Sequence, residues 1–183
     1  VTLTAWQGLY ELANLSAGQT VLIHAAAGGV GHIAIQLAKL RGAKVIGTGS
    51  VHLNFIKELG VDQAIDYATT AFEDVAKDVD VVLDLIGGET QERSWKVLKA
   101  GGILVSTMSP PSEEAAAAHG ARTGFITSAP PIAQTLTEVA KMVAAGQIKP
   151  VVSTILPIQE IRKAHEMIEA KHTQGKLVLQ VVN

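Results

Sequence analysis

The sequence contains no cysteine among its 183 residues. Disulfide bonds and thiolate zinc ligands are therefore excluded, and the absence fits a reducing compartment, for which we expect the cytoplasm. Long hydrophobic runs are also missing, since no stretch reaches the roughly 18 to 20 apolar residues that span a bilayer. No charged segment followed by an apolar one opens the chain, so we expect neither export nor membrane insertion.

Charge of one sign is not in excess either. The chain has 15 lysines and arginines against 17 aspartates and glutamates, a formal net charge of -2, and the basic residues are scattered. Nucleic-acid-binding proteins carry a clustered basic surface. We therefore expect no nucleic acid as partner, but a small-molecule substrate or a second copy of the chain.

The length and the 48% hydrophobic content are enough for one well-packed domain. The chain begins at Val1 without methionine and runs at once into a predicted helix, Leu3 to Leu12. This start suggests a piece excised from something longer, and processing of a precursor is the alternative.

The most informative stretch is Gly18 to Lys39, with the small-residue run Ala25 to Gly31 at its centre. Apolar β-branched residues enter the run, and apolar residues leave it at helical spacing, which predicts strand, tight turn and helix. The G-x-G-x-x-G pattern falls on Ala26, Gly28 and Gly31, with alanine for the first glycine. Such a turn binds a pyrophosphate at the helix N-terminus, whereas a plain strand-to-helix connection is the alternative.

Predicted strands and helices alternate through the rest of the chain. The strand at 79–86 is a nearly continuous apolar run, typical of a parallel strand covered on both faces. Residues 109–120 are predicted as a loop, and Pro130 and Pro131 are predicted to open a helix. The pattern favours an α/β fold, a doubly wound parallel sheet of the Rossmann type in three α/β/α layers.

Rossmann folds that prefer NAD place an acidic residue at the end of the second strand. Here Gly49 and Ser50 occupy that place, and no carboxylate is nearby. Ser50 can donate a hydrogen bond to a 2'-phosphate, and His52 or Lys57 could add charge. The stretch therefore favours NADP(H) as cofactor, and an ordinary small-residue turn is the alternative.

Several other residues could carry chemistry. Asp84 could be catalytic, but a carboxylate in that place more often accepts backbone N-H bonds from the following glycines. His24 is interpreted as a hydrogen-bonded core histidine rather than a base. His165, Glu169 and His172 share one helix face and imitate a metal site, but they lie outside the expected cleft, so we predict no metal.

The assembled segments resemble the cofactor-binding half of the medium-chain dehydrogenase/reductase superfamily, closest to its zinc-independent quinone oxidoreductase, or zeta-crystallin-like, branch. The matching segments are LTAWQGL, GQTVLIHAAAGGVGHIAIQLAK, LGVDQAIDY, VVLDLIGG, GGILVS and GKLVLQV. The resemblance covers nearly the whole chain. It implies an NADP-dependent oxidoreductase that transfers a hydride to a quinone or an activated C=C or C=O substrate.

The resemblance also implies the cofactor-binding residues. Thr4 would lie near the nicotinamide, and strand ends at 84–87 would line the cleft. The pyrophosphate turn and the 2'-phosphate pocket would be formed by Ala27, Gly28, Gly29, Val30, Gly31, Gly49, Ser50 and Tyr67, to which the residue pattern itself adds His52. The remaining cofactor contacts would be Leu85, Ile86, Gly87, Ser106, Thr107, Phe125 and Lys171. No catalytic residue is assigned, and the metal site of zinc-dependent relatives is not expected.

The family resemblance predicts two parts of unequal size. Residues 1–148 would form the NADP-binding Rossmann domain, and residues 149–183 would be a strand-helix-strand segment that in relatives completes a preceding substrate domain. Relatives often form homodimers through sheet edges near 103–107 and 121–127. Two departures are visible: 51–54 is one residue shorter than usual, and the basic residue common there is missing.

A second hypothesis is a non-catalytic module that binds NADPH as a sensor or interaction protein. A nucleotide-dependent methyltransferase also has a glycine turn after its first strand, but it is expected to carry an acidic ribose ligand after the second, and Gly49 stands there.

Overall fold

The centre of the protein is a six-stranded sheet in which every neighbouring pair of strands is parallel. The computed structural model describes residues 1–127 and 132–182. The strands are β1 (Thr20–Ile23), β2 (Lys44–Gly49), β3 (Gln63–Asp66), β4 (Val79–Asp84), β5 (Leu98–Ser106) and β6 (Arg122–Phe125). They pair in the order β3-β2-β1-β4-β5-β6. The order reverses at β1, and the crevice outside the carboxyl ends of β1 and β4 is where such sheets bind ligands.

Helices cover both faces of this sheet. They are α1 (Thr2–Trp6), which continues as a π-helix over Gln7–Leu12, α2 (Gly31–Leu40), α3 (Leu53–Glu58), α4 (Phe72–Val75), α5 (Gly88–Ser94), α6 (Glu113–Ala118), α7 (Ile132–Ala144) and α8 (Ile161–Glu169). Short 3-10 turns occupy Trp95–Val97 and Ile158–Glu160. The predicted doubly wound α/β fold is confirmed.

The two faces of the sheet have separate cores because side chains alternate along each strand. Val21 and Ile23 pack with α1, α2 and α3 on one face, whereas Leu22 packs with Phe72 and Trp95 on the other. The side chains of Val21, Leu22 and Ile23 are fully buried. A strand covered on both faces is mostly apolar, which is why β1 and β4 are nearly continuous apolar runs.

The prediction that residues 109–120 form a loop is wrong for 113–118, because these residues form α6. Ser112 precedes the helix and its hydroxyl accepts a hydrogen bond from the Ala115 N-H at 3.1 Å. Glu113 and Glu114 follow in the first turn, where negative charge is favourable, and four alanines complete the helix. The two preceding prolines lie just outside a helix with a clear start signal.

Other boundaries differ by a few residues. β5 begins at Leu98, ahead of the apolar run that starts at Ile103, since Leu98 pairs with Val79 across a register shift. β6 forms an edge of the sheet, whereas β5 is paired on both sides. Of the two stretches expected at a dimer contact, 103–107 and 121–127, only the second therefore lies at an edge of the sheet. The prediction for Pro130 and Pro131 lies outside the described residues.

Residues near the C-terminus form a second, two-stranded parallel sheet. Its strands are β7 (Val152–Pro157) and β8 (Lys176–Gln180), which flank α8. Among the helices of the described part of the chain, none combines the length and the apolar character needed to cross a membrane.

Candidate functional site

The glycine turn after β1 packs its backbone tightly against the first turn of α2. A Cβ placed on Gly31 would lie 2.3 Å from the carbonyl oxygen of Ala25 and 2.7 Å from the Cα and carbonyl oxygen of Ala26. Ala25 itself has a positive φ of 48°. Only glycine at 31 permits this approach, which brings the start of α2 against the end of β1.

Beside this turn lies a cleft of about 370 Å³. It opens between the carboxyl ends of β2 and β4 and the segment after α8. Its lining residues are His24, Ala25, Ala27, Gly28, Thr48, Gly49, Ser50, Val51, His52, Tyr67, Thr70, Phe72, Ile86, Thr90, Arg93, Lys171, His172 and Thr173. Among the residues that the structure describes, no carboxylate lines the cleft.

Hydroxyl groups and a lysine line the cleft near the end of β2. Ser50 Oγ donates to Tyr67 Oη at 3.0 Å, and the Tyr67 N-H donates to the Gly49 carbonyl at 3.0 Å. His52 Nε2 donates to the carbonyl oxygen of His172 at 3.0 Å. This last bond joins the loop after β2 to the segment that carries Lys171. Hydroxyls and a cation from distant parts of the chain are thereby brought together in the cleft.

His24 lies at the inner wall in a single protonation state. Burial lowers its pKa to about 4, with smaller effects from the neighbouring charges of Asp84, Arg93 and Glu73. Ser94 Oγ donates to the Thr90 carbonyl at 2.6 Å, so it must accept from His24 Nε2 at 2.9 Å. His24 Nδ1 then accepts from the Thr48 hydroxyl at 3.1 Å. The interpretation of His24 as a satisfied core histidine is confirmed, although its ring also borders the cleft.

Next to His24, an arginine and an aromatic ring also line the cleft. The edge of the His24 ring meets Phe72, with ring centroids 4.7 Å apart. Arg93 Cζ lies 5.0 Å from the centre of the same Phe72 ring. Arg93 donates from Nε to Glu73 Oε1 at 2.7 Å and from Nη2 to Glu73 Oε2 at 2.6 Å. These bonds lower the pKa of Glu73 and raise that of Arg93, so the pair is ionised.

Asp84 organises the ends of β4 and β5 and is fully buried. Its Oδ1 accepts from the N-H groups of Ile86 at 3.0 Å and Gly87 at 2.8 Å. Its Oδ2 accepts from Gln91 Nε2 at 2.9 Å and Ser106 Oγ at 2.8 Å. The predicted backbone bonds to the glycine turn are confirmed, and the four bonds give Asp84 a structural role.

The segment after residue 148 is docked on the glycine turn. The Gly175 N-H donates to the Ala27 carbonyl at 2.8 Å, and the Val151 N-H donates to His32 Nε2 at 3.2 Å. The Lys176 side chain lies over Gly29, with Nζ 3.3 Å from the position a Cβ would occupy there. The segment therefore forms one wall of the cleft as well as its own small sheet.

The structure brings eight of the residues predicted to bind a cofactor into the cleft, namely Ala27, Gly28, Gly49, Ser50, His52, Tyr67, Ile86 and Lys171. The other nine lie outside it. Gly29, Val30 and Gly31 lead into α2, Leu85 and Gly87 follow β4, Ser106, Thr107 and Phe125 lie at the ends of β5 and β6, and Thr4 is in α1. Asp84, Ser106 and Phe125 are in register across three strands, so these ends share one edge of the sheet.

Sequence reasoning did not assign Phe72, Thr90 or Arg93 to the site. Phe72 begins α4 and the other two lie in α5, and no local motif marks any of them. The described residues contain no group of three His, Asp or Glu side chains placed to hold a metal ion, and so His165, Glu169 and His172 do not form one.

The site can be compared with known proteins. The chain is 33% identical to a 2-methylene-furan-3-one reductase of Solanum lycopersicum, over 98% of this chain and 44% of that protein. It superposes on a quinone oxidoreductase from Coxiella burnetii with a TM-score of 0.91 and 37% identity, over 98% of this chain and 58% of that one. For an Escherichia coli quinone oxidoreductase in complex with NADPH the TM-score is 0.89 at 29% identity, over 98% and 62%.

The chain spans at most 60% of the length of the first curated relatives it matches, among them a probable zinc-binding oxidoreductase of Arthroderma benhamiae. Residues 59–179 match the family model described as zinc-binding dehydrogenase. Together with the Rossmann sheet and the quinone oxidoreductase neighbours, this match identifies the chain as a cofactor-binding domain of the zinc-binding dehydrogenase family, in the quinone oxidoreductase-like part of the medium-chain dehydrogenase/reductase superfamily.

Proposed function

We propose that this chain is the NADPH-binding part of an oxidoreductase that transfers a hydride to a quinone or an activated C=C or C=O substrate. One observation carries the choice of cofactor. The cleft at the end of β2 presents the Ser50 and Tyr67 hydroxyls together with Lys171, and no described carboxylate lines it. An acid at this place would bind ribose hydroxyls and repel a 2'-phosphate.

The residues present fit such a nucleotide. Gly28 has no side chain where the backbone would approach a pyrophosphate, and the N-terminus of α2 follows at Gly31. The Tyr67 hydroxyl, which accepts from Ser50, can donate to a phosphate oxygen, and Lys171 supplies a positive charge. Relatives in complex with NADPH support the same assignment.

NADPH, when bound, would supply the hydride, and the protein would bind and orient it. Asp84 holds the turn at 86–87 that would border the cofactor. No described side chain is assigned as a proton donor. The proposal has four further parts. The protein would work together with a substrate domain like that of its relatives, and two chains would pair through sheet edges. It would be located in the cytoplasm and would not need zinc.

Replacement of Lys171 by methionine tests the 2'-phosphate assignment. The variant should bind NADPH about tenfold more weakly, because a charge-assisted hydrogen bond to phosphate is lost, and should bind NADH as the parent does. Isothermal titration with both nucleotides measures the two affinities. Lys163→Met is the matched control, since Lys163 lies on α8, pairs with Glu160 and does not line the cleft. Equal losses for NADPH and NADH in Lys171→Met would remove Lys171 from the phosphate pocket.

A further inference from the structure

Two polar side chains of α2, one helical turn apart, bind the backbone of the segment after residue 148. Gln36 donates from Nε2 to the Lys149 carbonyl at 3.2 Å and accepts from the Lys149 N-H at 2.8 Å. His32 accepts from the Val151 N-H at 3.2 Å through Nε2. The Val151 carbonyl in turn accepts from the N-H of Lys176 at the start of β8. Side chains of α2 therefore hold a stretch of backbone that is more than 100 positions away.

The second nitrogen of the His32 ring fixes where the ring carries its proton. Nδ1 lies 2.9 Å from the carbonyl oxygen of Gly28, which can only accept, so Nδ1 must donate. Nε2 then keeps its lone pair, as the bond from Val151 requires. His32 is fully buried, and both of its ring nitrogens are therefore committed to protein partners. A second proton would place an N-H on Nε2 against the N-H of Val151.

His32 thereby joins two walls of the cleft. Gly28 belongs to the glycine turn and lines the cleft. Residues 171–173 also line it, and they lie between α8 and β8 in the segment that α2 holds. The bond from the Gly175 N-H to the Ala27 carbonyl lies at the same junction. The distance between the two walls depends on whether this junction is closed.

We propose that His32 is a positioning residue for the nucleotide: its neutral ring binds the segment after residue 148 to the glycine turn, and a second proton releases that wall of the cleft. We call His32, with Gly28 and Val151, the clasp. This inference rests on the proposed function only for the ligand, because the chain forms the clasp by itself. A ligand that contacts both Gly28 and Lys171 would in turn keep the clasp closed.

The charged groups that face the ring disfavour a second proton. They are Lys176 from β8 and the α-amino group of Val1 ahead of α1, both cations, and the docked segment adds the exposed Lys149. Burial is the largest effect and lowers the pKa of His32, whereas the Gly28 carbonyl opposes it only in part. A released His32 would bind a proton near pH 6.5, as an ordinary histidine does. The closed clasp should therefore be fully stable above pH 6.5 and lose stability as the pH falls below it.

Amide hydrogen exchange measured by NMR reports the clasp directly. Without ligand, the opening equilibrium constant at the N-H groups of Val151 and Gly175 should rise about tenfold between pH 7 and pH 5, after correction for intrinsic exchange rates. In His32→Gln the rise should be about twofold or less, because an amide donates and accepts but does not titrate. His165→Gln is the matched control and should keep the full rise, since His165 is exposed on α8 and does not line the cleft.

The N-H of His24 separates local from global opening. It donates to the Leu83 carbonyl in the centre of the sheet, so its exchange reports unfolding of the whole domain. The tenfold rise should exceed any rise at this group. If Val151 has the same pH dependence in the wild-type chain and in His32→Gln, the clasp is overturned, whatever the cleft binds.

NADPH titration at pH 7 tests the effect on the nucleotide. His32→Leu loses both ring bonds and should bind NADPH about tenfold more weakly, and His32→Gln should recover most of that loss. An unchanged affinity in His32→Leu would overturn the positioning role. A wild-type chain that shows the expected exchange but binds no NADPH would leave the clasp in place and overturn the proposed function.

Discussion

Replacement of Gly31 by alanine is expected to lower the free energy of unfolding by about 3 kcal/mol, because the new methyl group has no room. The Cβ would meet the backbone of Ala25 and Ala26 at 2.3 to 2.7 Å. Backbone atoms cannot rotate away as a flexible side chain can, so α2 must move off the end of β1. Thermal unfolding followed by circular dichroism should show a melting temperature lower by about 10 °C.

Gly28→Ala is the control for this prediction. Its Cβ would lie 3.2 Å from the Ala25 carbonyl oxygen, a contact relieved by a small shift. The variant should therefore melt within about 3 °C of the parent. Because Gly28 lines the cleft, its NADPH affinity should nevertheless fall. A Gly31→Ala protein as stable as the parent would contradict the close packing of α2 on the turn.

The second large effect is a loss of stability in mildly acidic solution caused by His24. Its pKa is about 4 in the folded chain, against 6.5 for an unperturbed histidine. Between these values the unfolded chain binds a proton that the folded chain does not, so stability falls as the pH drops below 6.5. The loss from this residue should reach about 2 kcal/mol between pH 7 and pH 5.

Urea unfolding of the wild-type chain and of His24→Gln at pH 7 and pH 5 isolates this contribution. Burial also lowers the pKa of His32, so some acid sensitivity remains in the variant. The difference between the pH dependences of the two free energies of unfolding is the contribution of His24. Parallel pH profiles for the two proteins would show that folding leaves the pKa of His24 unchanged, against its burial and its hydrogen bonds with Thr48 and Ser94.

Much of the fold could be predicted because local signals were strong. The strand, tight turn and helix predicted around the glycine run are present as β1, the turn after it and α2. The helix at 113–118 was missed because two prolines outweighed the start signal at Ser112 and the alanines after it. Helix propensity and N-terminal capping decided the local structure there.

Some residues of the candidate site could likewise be predicted from local sequence, and others could not. Gly49 and Ser50 belong to one turn, and a family pattern points to them directly. Arg93 and Glu73 could not be predicted as part of the cleft, because their pairing depends on how α4 and α5 pack at the edge of the sheet. The contact of Lys176 with Gly29 joins residues nearly 150 positions apart and has no local signal either. Long-range contacts of this kind are set by tertiary packing.

The central claim is that the cleft binds the adenosine half of a phosphorylated nicotinamide dinucleotide. Isothermal titration of the wild-type chain with NADPH and with NADH tests it most directly. NADPH should bind at least about tenfold more tightly, because only its 2'-phosphate can engage Ser50, Tyr67 and Lys171. NADH binding as tightly as NADPH, or the absence of binding by both, would contradict the claim.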